Sequence, residues 1–256
     1  MKTENMRGYN TTIMKAAMIL ELYTKEDVDE FSISEIASRV EMPMSTTHRI
    51  LSTLKYLGYI DQSGLNGKYY LGLKCVQLGN RVRIVKTLRE ASRPYLIELS
   101  KRYNEAARVT MNNDDGSLLN VEQITPSRKS FFAIPGVGGT RELQATAAGK
   151  CIMAQMPEEE LEETIKSLTF HRFTANSIIT PNQLKEHLEI VRKQGYAFDN
   201  EEGEAGLFCC GAPIYYDSSC IGALSISMPI SRVPQARDVL IEDIKNTAIK
   251  ISDVLK

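Results

Sequence analysis

The sequence predicts an α+β protein built in two parts, on three observations. Across residues 12–57 the apolar side chains recur at the spacing of short helices. From Ala106 onward the period changes to that of strands alternating with helices. Between the two, Asn66-Gly67, a pair suited to the positive φ of a tight turn, joins two strand-like runs. Two helical segments that meet at an abrupt break, followed by such a hairpin, make a winged helix-turn-helix over residues 1–79. A chain of 256 residues, 43% hydrophobic and 25% charged, is long enough to add a second core behind it.

The first helix is expected over Thr12–Thr24, with Ile13, Ala16, Ala17 and Leu20 inward. Glu26–Glu30 is an acidic, solvated loop. Ser32 or Ser34 caps a second helix whose inner face is Ile33, Ile36, Ala37 and Val40. Met42-Pro43 ends it, because a residue before proline is pushed out of the helical region. A third helix starts near Ser45, turns Ile50, Leu51, Leu54 and Leu57 inward, and stops at Gly58. Its other face carries Ser45, Thr46, Thr47, Arg49 and Ser52, with His48 beside them. Short hydroxyls and one long cation let a helix enter the major groove and donate to phosphates and base edges. The same residues also suit a capped surface helix in a bundle, but the wing at the following hairpin favours the DNA reading. That wing is Tyr59–Asp61 and Tyr69–Leu73, with Lys68 at its tip within reach of phosphate.

The formal net charge of −1 hides a local asymmetry. Met44–Lys74 holds four cations (Arg49, Lys55, Lys68, Lys74) against Asp61 alone, and Arg81–Arg108 holds eight Lys and Arg against three Glu. A basic reading element on a near-neutral protein suffices for phosphate contact. No apolar run approaches the ~18 residues of a membrane span, and the polar start, Met1–Asn10, lacks a signal-peptide core, so a cytoplasmic protein is expected. The cysteines (Cys75, Cys151, Cys209, Cys210, Cys220) contain no CxxC pair and read as reduced thiols. His48, His171 and His187 lack metal-ligand spacing, and no P-loop Lys-Ser/Thr follows the glycines at Gly136–Gly139. Neither metal nor cofactor is expected.

Beyond the wing, Ile84, Leu88, Ala91, Tyr95 and Leu99 continue a helical stripe that Ser92-Arg93-Pro94 interrupts. The expectation is a linker helix over 80–93 and a second helix from Pro94, which opens an effector and oligomerisation domain over 94–256. Strands follow at Ala107–Asn112 and Ser117–Ile124, around the turn Asn113–Gly116, and at Lys129–Ile134. Helices are expected over Thr146–Gln155, Glu158–Leu168 and Pro181–Gln194, the last with Thr180 as cap and Gly195 as stop. Strands near Gly206–Tyr215 and Cys220–Met228 and a helix over Asp238–Leu255 complete the chain. Within Gly222–Met228, alternation puts Ser225 and Ser227 on one face and Leu224, Ile226 and Met228 on the other. Two hydroxyls on one face can donate to a carboxylate, or simply fill a sheet–helix interface. The backbone N–H groups where Ala147-Ala148-Gly149 opens a helix favour an anion.

The blocks Ser45-Thr46-Thr47-His48-Arg49, Gly67-Lys68-Tyr69-Tyr70-Leu71-Gly72, Ala145–Lys150, Gly195–Asp199, Ala212-Pro213-Ile214 and Leu224–Ser227 resemble, in order and spacing, the IclR family of transcription regulators. The resemblance runs from the first helix nearly to the C-terminus. It implies a GAF-like C-terminal domain with a pocket for small organic acids, a keto acid or sugar acid among them, lined by Ala147, Ala148, Asp199, Cys209, Ser225 and Ser227. It further implies a homodimer or tetramer on a pseudo-palindromic double-stranded operator, with repression the commoner mode, and no enzymatic activity. Asp199 either accepts a hydrogen bond from the ligand or caps the turn that follows it. Two rival classes stand beside this reading. Cys209 or Ser225 as a nucleophile would make an enzyme, but no GxSxG elbow is present and no histidine is near either in sequence. A winged-helix protein adaptor would not need the basic balance of Met44–Lys74.

Overall fold

The computed structural model describes residues 8–25, 28–64, 67–113, 116–126 and 136–256. The chain divides into two compact units, Met1–Arg83 and Ile84–Lys256.

The first unit runs α1 (Thr11–Lys25), α2 (Ile33–Arg39), α3 (Met44–Tyr56), β1 (Ile60–Gln62), β2 (Tyr69–Leu71) and α4 (Leu73–Gly79). Its core gathers Ile19, Phe31, Ile36, Leu51 and Ile60. The first helix turns differently from expectation: Ile19 is fully buried, while Ile13 is 68% exposed. Apolar residues surround α1, so its own periodicity does not set its phase; packing against α3 and the wing does. Ser32 caps α2 through a reciprocal capping box with Glu35. The break after α2 owes more to Glu41 than to Pro43. Glu41 takes φ 51, and the amides of Glu41 and Met42 return to the carbonyls of Ser38 and Ala37, a Schellman ending. Leu57, expected inward, is the C-cap of α3 and 48% exposed. In the wing, β1 pairs antiparallel with β2, Ile60 opposite Leu71. Gly67 has φ 67 in the turn, whose partner Asn66 lies outside the described residues. The second wing strand stops short of Leu73, which opens α4 instead. Gly72 makes that switch where a Cβ would sit 2.2 Å from the Gly58 carbonyl oxygen, a close approach only glycine permits.

The second unit runs α5 (Arg83–Tyr103), β3 (Ala106–Asn112), β4 (Ser117–Ile124), β5 (Thr140–Glu142), α6 (Ala147–Met153), α7 (Glu158–Ser167), α8 (Pro181–Gln194), β6 (Ala197–Asn200), β7 (Leu207–Tyr216), β8 (Ser219–Pro229) and α9 (Arg237–Leu255). The expected break at Ser92-Arg93-Pro94 does not occur: α5 continues through Pro94. The stripe Leu88, Ala91, Leu96 and Leu99 is buried on both sides of the proline, so core burial outweighs the missing amide hydrogen bond. The six-stranded sheet has the order β5-β4-β3-β8-β7-β6, antiparallel throughout. One face packs Ala107, Val109, Leu224, Ile226 and Met228 against α5 and α9. The other packs against α6, α7 and α8. This is the expected α+β architecture, with the alternation in β8 falling as the sequence indicates. The strands β5 and β6 were not anticipated; at three and four residues they are too short to show alternation. The expected strand Lys129–Ile134, like Asp114 and Asp115, lies outside the described residues.

Candidate nucleic-acid interface and ligand cavity

In the first unit, α3 presents Ser45, His48, Arg49 and Ser52 to solvent, with Thr46 half-buried beside them. Thr47 departs from expectation. It is fully buried, and its hydroxyl donates to the Pro43 carbonyl at 3.1 Å. One residue further along a helix is a rotation of about 100°, and that carries Thr47 from the outward to the inward face. Tyr56, 89% exposed, extends the outward face by a turn, since it follows Ser52 by four residues. Lys68 lies 3.6 Å from the Glu30 carboxylate, both side chains 39% exposed. An ion pair this open is weak and readily exchanged for phosphate.

In the second unit a cavity of about 280 Å³ lies between the sheet and α6. Ala147, Ala148, Asp199, Cys209, Ser225 and Ser227, drawn from four separate segments, all line it. The ladder explains the floor. Asp199 stands opposite Cys209 and Cys209 opposite Ser227, while Gly211 stands opposite Ser225 and Ser225 opposite Arg108. A Cβ on Gly211 would come 3.3 Å from the Ala148 amide nitrogen, so its bare backbone lets α6 lie close to β7. The helix itself is seven residues long, capped by the Thr146 hydroxyl on the Gly149 amide. Lys150, fully buried, donates to both Glu202 oxygens at 2.5 and 2.6 Å and so ties α6 to the loop after β6.

Asp199 caps that loop: its Oδ1 accepts from the amides of Glu202 at 2.8 Å and Gly203 at 3.4 Å. Of the two roles expected as alternatives, the turn cap is the one observed, and the residue also lines the cavity. Burial, and then the Glu202 charge, push its carboxyl up to about 6. Cys209 Sγ lies 3.1 Å from Ser227 Oγ, and burial raises the thiol to about 12. A thiol so far from ionisation is no nucleophile at neutral pH, and no histidine is among the described residues lining the cavity. Among the described residues no cluster of His, Cys, Asp and Glu is placed to hold a metal.

Sequence reasoning named six of the residues that line the cavity and missed others, Thr110, Asn120 and Arg141 among them; the most consequential is Arg108. It is 9% exposed, and its Nε and Nη2 have no hydrogen-bond partner among the described residues. Burial lowers its basicity to about 10, still far above neutrality. The signal was available: Ala107 and Val109 belong to the apolar side of β3, so alternation sends Arg108 to the other.

Residues 12–64 match the family model "IclR helix-turn-helix domain", and residues 83–253 match "Bacterial transcriptional regulator IclR C-terminal". The chain belongs to the IclR family. It is 33% identical over 227 residues to the HTH-type transcriptional regulator XynR of Escherichia coli K12, covering 88% of each chain. It is 29% identical over 232 residues to the transcriptional repressor IclR of the same organism, covering 90% of this chain and 84% of that one. An IclR homologue from Microbacterium hydrocarbonoxydans, solved in complex with 4-hydroxybenzoate, has the same fold, with TM-score 0.85 at 22% identity over 96% of this chain and 99% of that one. The chain is thus an IclR-family DNA-binding transcription regulator and not an enzyme. Its helix-turn-helix domain binds DNA and its C-terminal domain binds a small-molecule effector. No helix among the described residues is long and apolar enough to cross a membrane.

Proposed function

We propose that this regulator is a cytoplasmic repressor that binds a pseudo-palindromic operator as a homodimer or tetramer and answers to a small organic acid. The observation that carries the effector reading is the convergence of Ala147, Ala148, Asp199, Cys209, Ser225 and Ser227 on one cavity. At about 280 Å³ it lies just under the usual range of ligand pockets, roughly 300–1,000 Å³, which suits a keto acid, a short sugar acid or a single aromatic acid. The serine hydroxyls donate to the acid, and Asp199 accepts from a ligand hydroxyl. In the first unit Ser45, Thr46, His48, Arg49 and Ser52 form the groove-reading surface, and Lys68 the wing's phosphate contact. Two such helices in one oligomer dock in successive major grooves about 34 Å apart.

Fluorescence anisotropy on DNA from upstream of the protein's own gene tests the reading head. Binding should fall steeply with salt, and Arg49→Ala should weaken it and reduce the log–log salt slope by about 1. Undiminished binding and an unchanged salt slope in Arg49→Ala would instead take the phosphate contact off Arg49.

A further inference from the structure

We infer that Arg108 is the anchor that selects the effector's charge: it receives a ligand carboxylate side-on, through Nε and Nη2, above the serines of β8. The inference rests on the acid-effector reading above and adds the residue that enforces it.

Three observations converge on Arg108. First, a guanidinium only 9% exposed leaves two donors unpartnered among the described residues, whereas buried charges are ordinarily paired. Second, the two free donors are not arbitrary. Nε and Nη2 share one edge of the planar group, the edge whose parallel N–H bonds match both oxygens of a carboxylate. Third, the side chain lines the cavity directly opposite Ser225 in the ladder, so that its Nε and Nη2 edge, covered in the ligand-free chain, meets a carboxylate once the guanidinium turns toward the cavity.

The neighbouring carboxylates are engaged elsewhere. Glu122 pairs with Arg93, Glu202 with Lys150, and Glu204 with Arg141. Asp199 Oδ1 is turned to the backbone of its own loop, and Glu142 accepts from Gln144. The seven residues of α6 make too short a helix to supply a comparable charge. The lining is formally balanced, Arg108 and Arg141 against Asp199 and Glu142, but with the other three already engaged, Arg108 is the charge that a neutral ligand leaves uncompensated. Discrimination follows: an amide in place of the acid keeps the ligand's shape but strands a buried cation.

Thermal melts and calorimetry on the full chain test this, with pyruvate, gluconate and 4-hydroxybenzoate as probes, each beside its neutral amide. At least one carboxylate should raise the wild-type Tm by several degrees at concentrations well above its Kd, and its amide should not. Arg108→Met should lose at least about tenfold in affinity for that acid, while ligand-free it melts at or above the wild type, because a long apolar chain replaces an unpaired buried charge. Arg108→Lys keeps charge but not the fork, so it should fold and bind with intermediate affinity. Undiminished acid binding by Arg108→Met and Arg108→Lys would place the carboxylate elsewhere, overturning the inference but keeping the acid effector. Ligand-free melting of Arg108→Met far below the wild type, with Arg108→Lys still binding at full strength, would make the arginine structural. If no carboxylate moves the wild-type melt, the acid-effector reading fails as well.

Discussion

Asp199 shows how one buried side chain couples the fold to pH. It is 2% exposed, and its carboxyl is pushed up to about 6, first by burial and then by Glu202. In an unfolded chain an aspartate titrates near 3.9. Between these values the folded protein binds the extra proton, so this group's contribution is fully present below about pH 4 and lost as pH rises through about 6. A difference of that size is on the order of 3 kcal/mol. Asp199→Asn keeps an acceptor for the Glu202 and Gly203 amides but removes the charge. Urea melts from pH 4 to 8 should show the variant gaining on the wild type as pH rises to about 6.5, then levelling. A difference independent of pH would mean that Asp199 does not titrate in this range. The inward serines of β8 and the turn-capping role of Asp199 were legible because alternation and short-range turn chemistry are local. Thr47 was misplaced because a helix face is narrow and a one-residue error rotates a side chain into the core. The side of β3 that Arg108 takes was legible from alternation, but its lack of a partner is a property of its surroundings, which only folding assembles.

At the scale of the element, α6 depends on what it lies against. A Cβ on Gly149 would meet the Leu143 carbonyl oxygen at 2.1 Å, backbone against backbone, with no flexible side chain to yield. Gly149→Ala should therefore destabilise the chain by about 1–3 kcal/mol or more, although alanine is otherwise the better helix former. Denaturant melts check this; an unchanged or raised midpoint would show that α6 can move away from Leu143. Elements with their own punctuation were readable to the residue. The helix α8 begins at Pro181 behind the Thr180 cap and ends before Gly195 at φ 77, as its sequence indicates. Those governed by distant partners were not: α1 turned to bury Ile19, α5 ran through Pro94, and Leu73 left the wing for α4.

For the whole molecule, the two units must communicate for the regulator to work. An effector alters DNA affinity only to the extent that it binds two states of the protein unequally, and linkage then requires DNA to alter effector affinity by the same factor. The cavity floor is built from strands whose opposite face packs against α5, the helix that begins where the first unit ends. That continuity gives ligand occupancy a covalent route toward the DNA-reading head, with Lys150–Glu202 fixing the cavity's α6 wall to the loop after β6.

The most direct test is operator affinity measured by anisotropy with and without the acid that stabilises the protein, in the wild type and in Ser225→Ala/Ser227→Ala. The account predicts that the acid shifts the wild-type Kd at least about fivefold, and that the double variant binds the operator equally well without acid but loses most of the shift. An acid that leaves wild-type DNA affinity unchanged, or shifts the variant just as far, would contradict it.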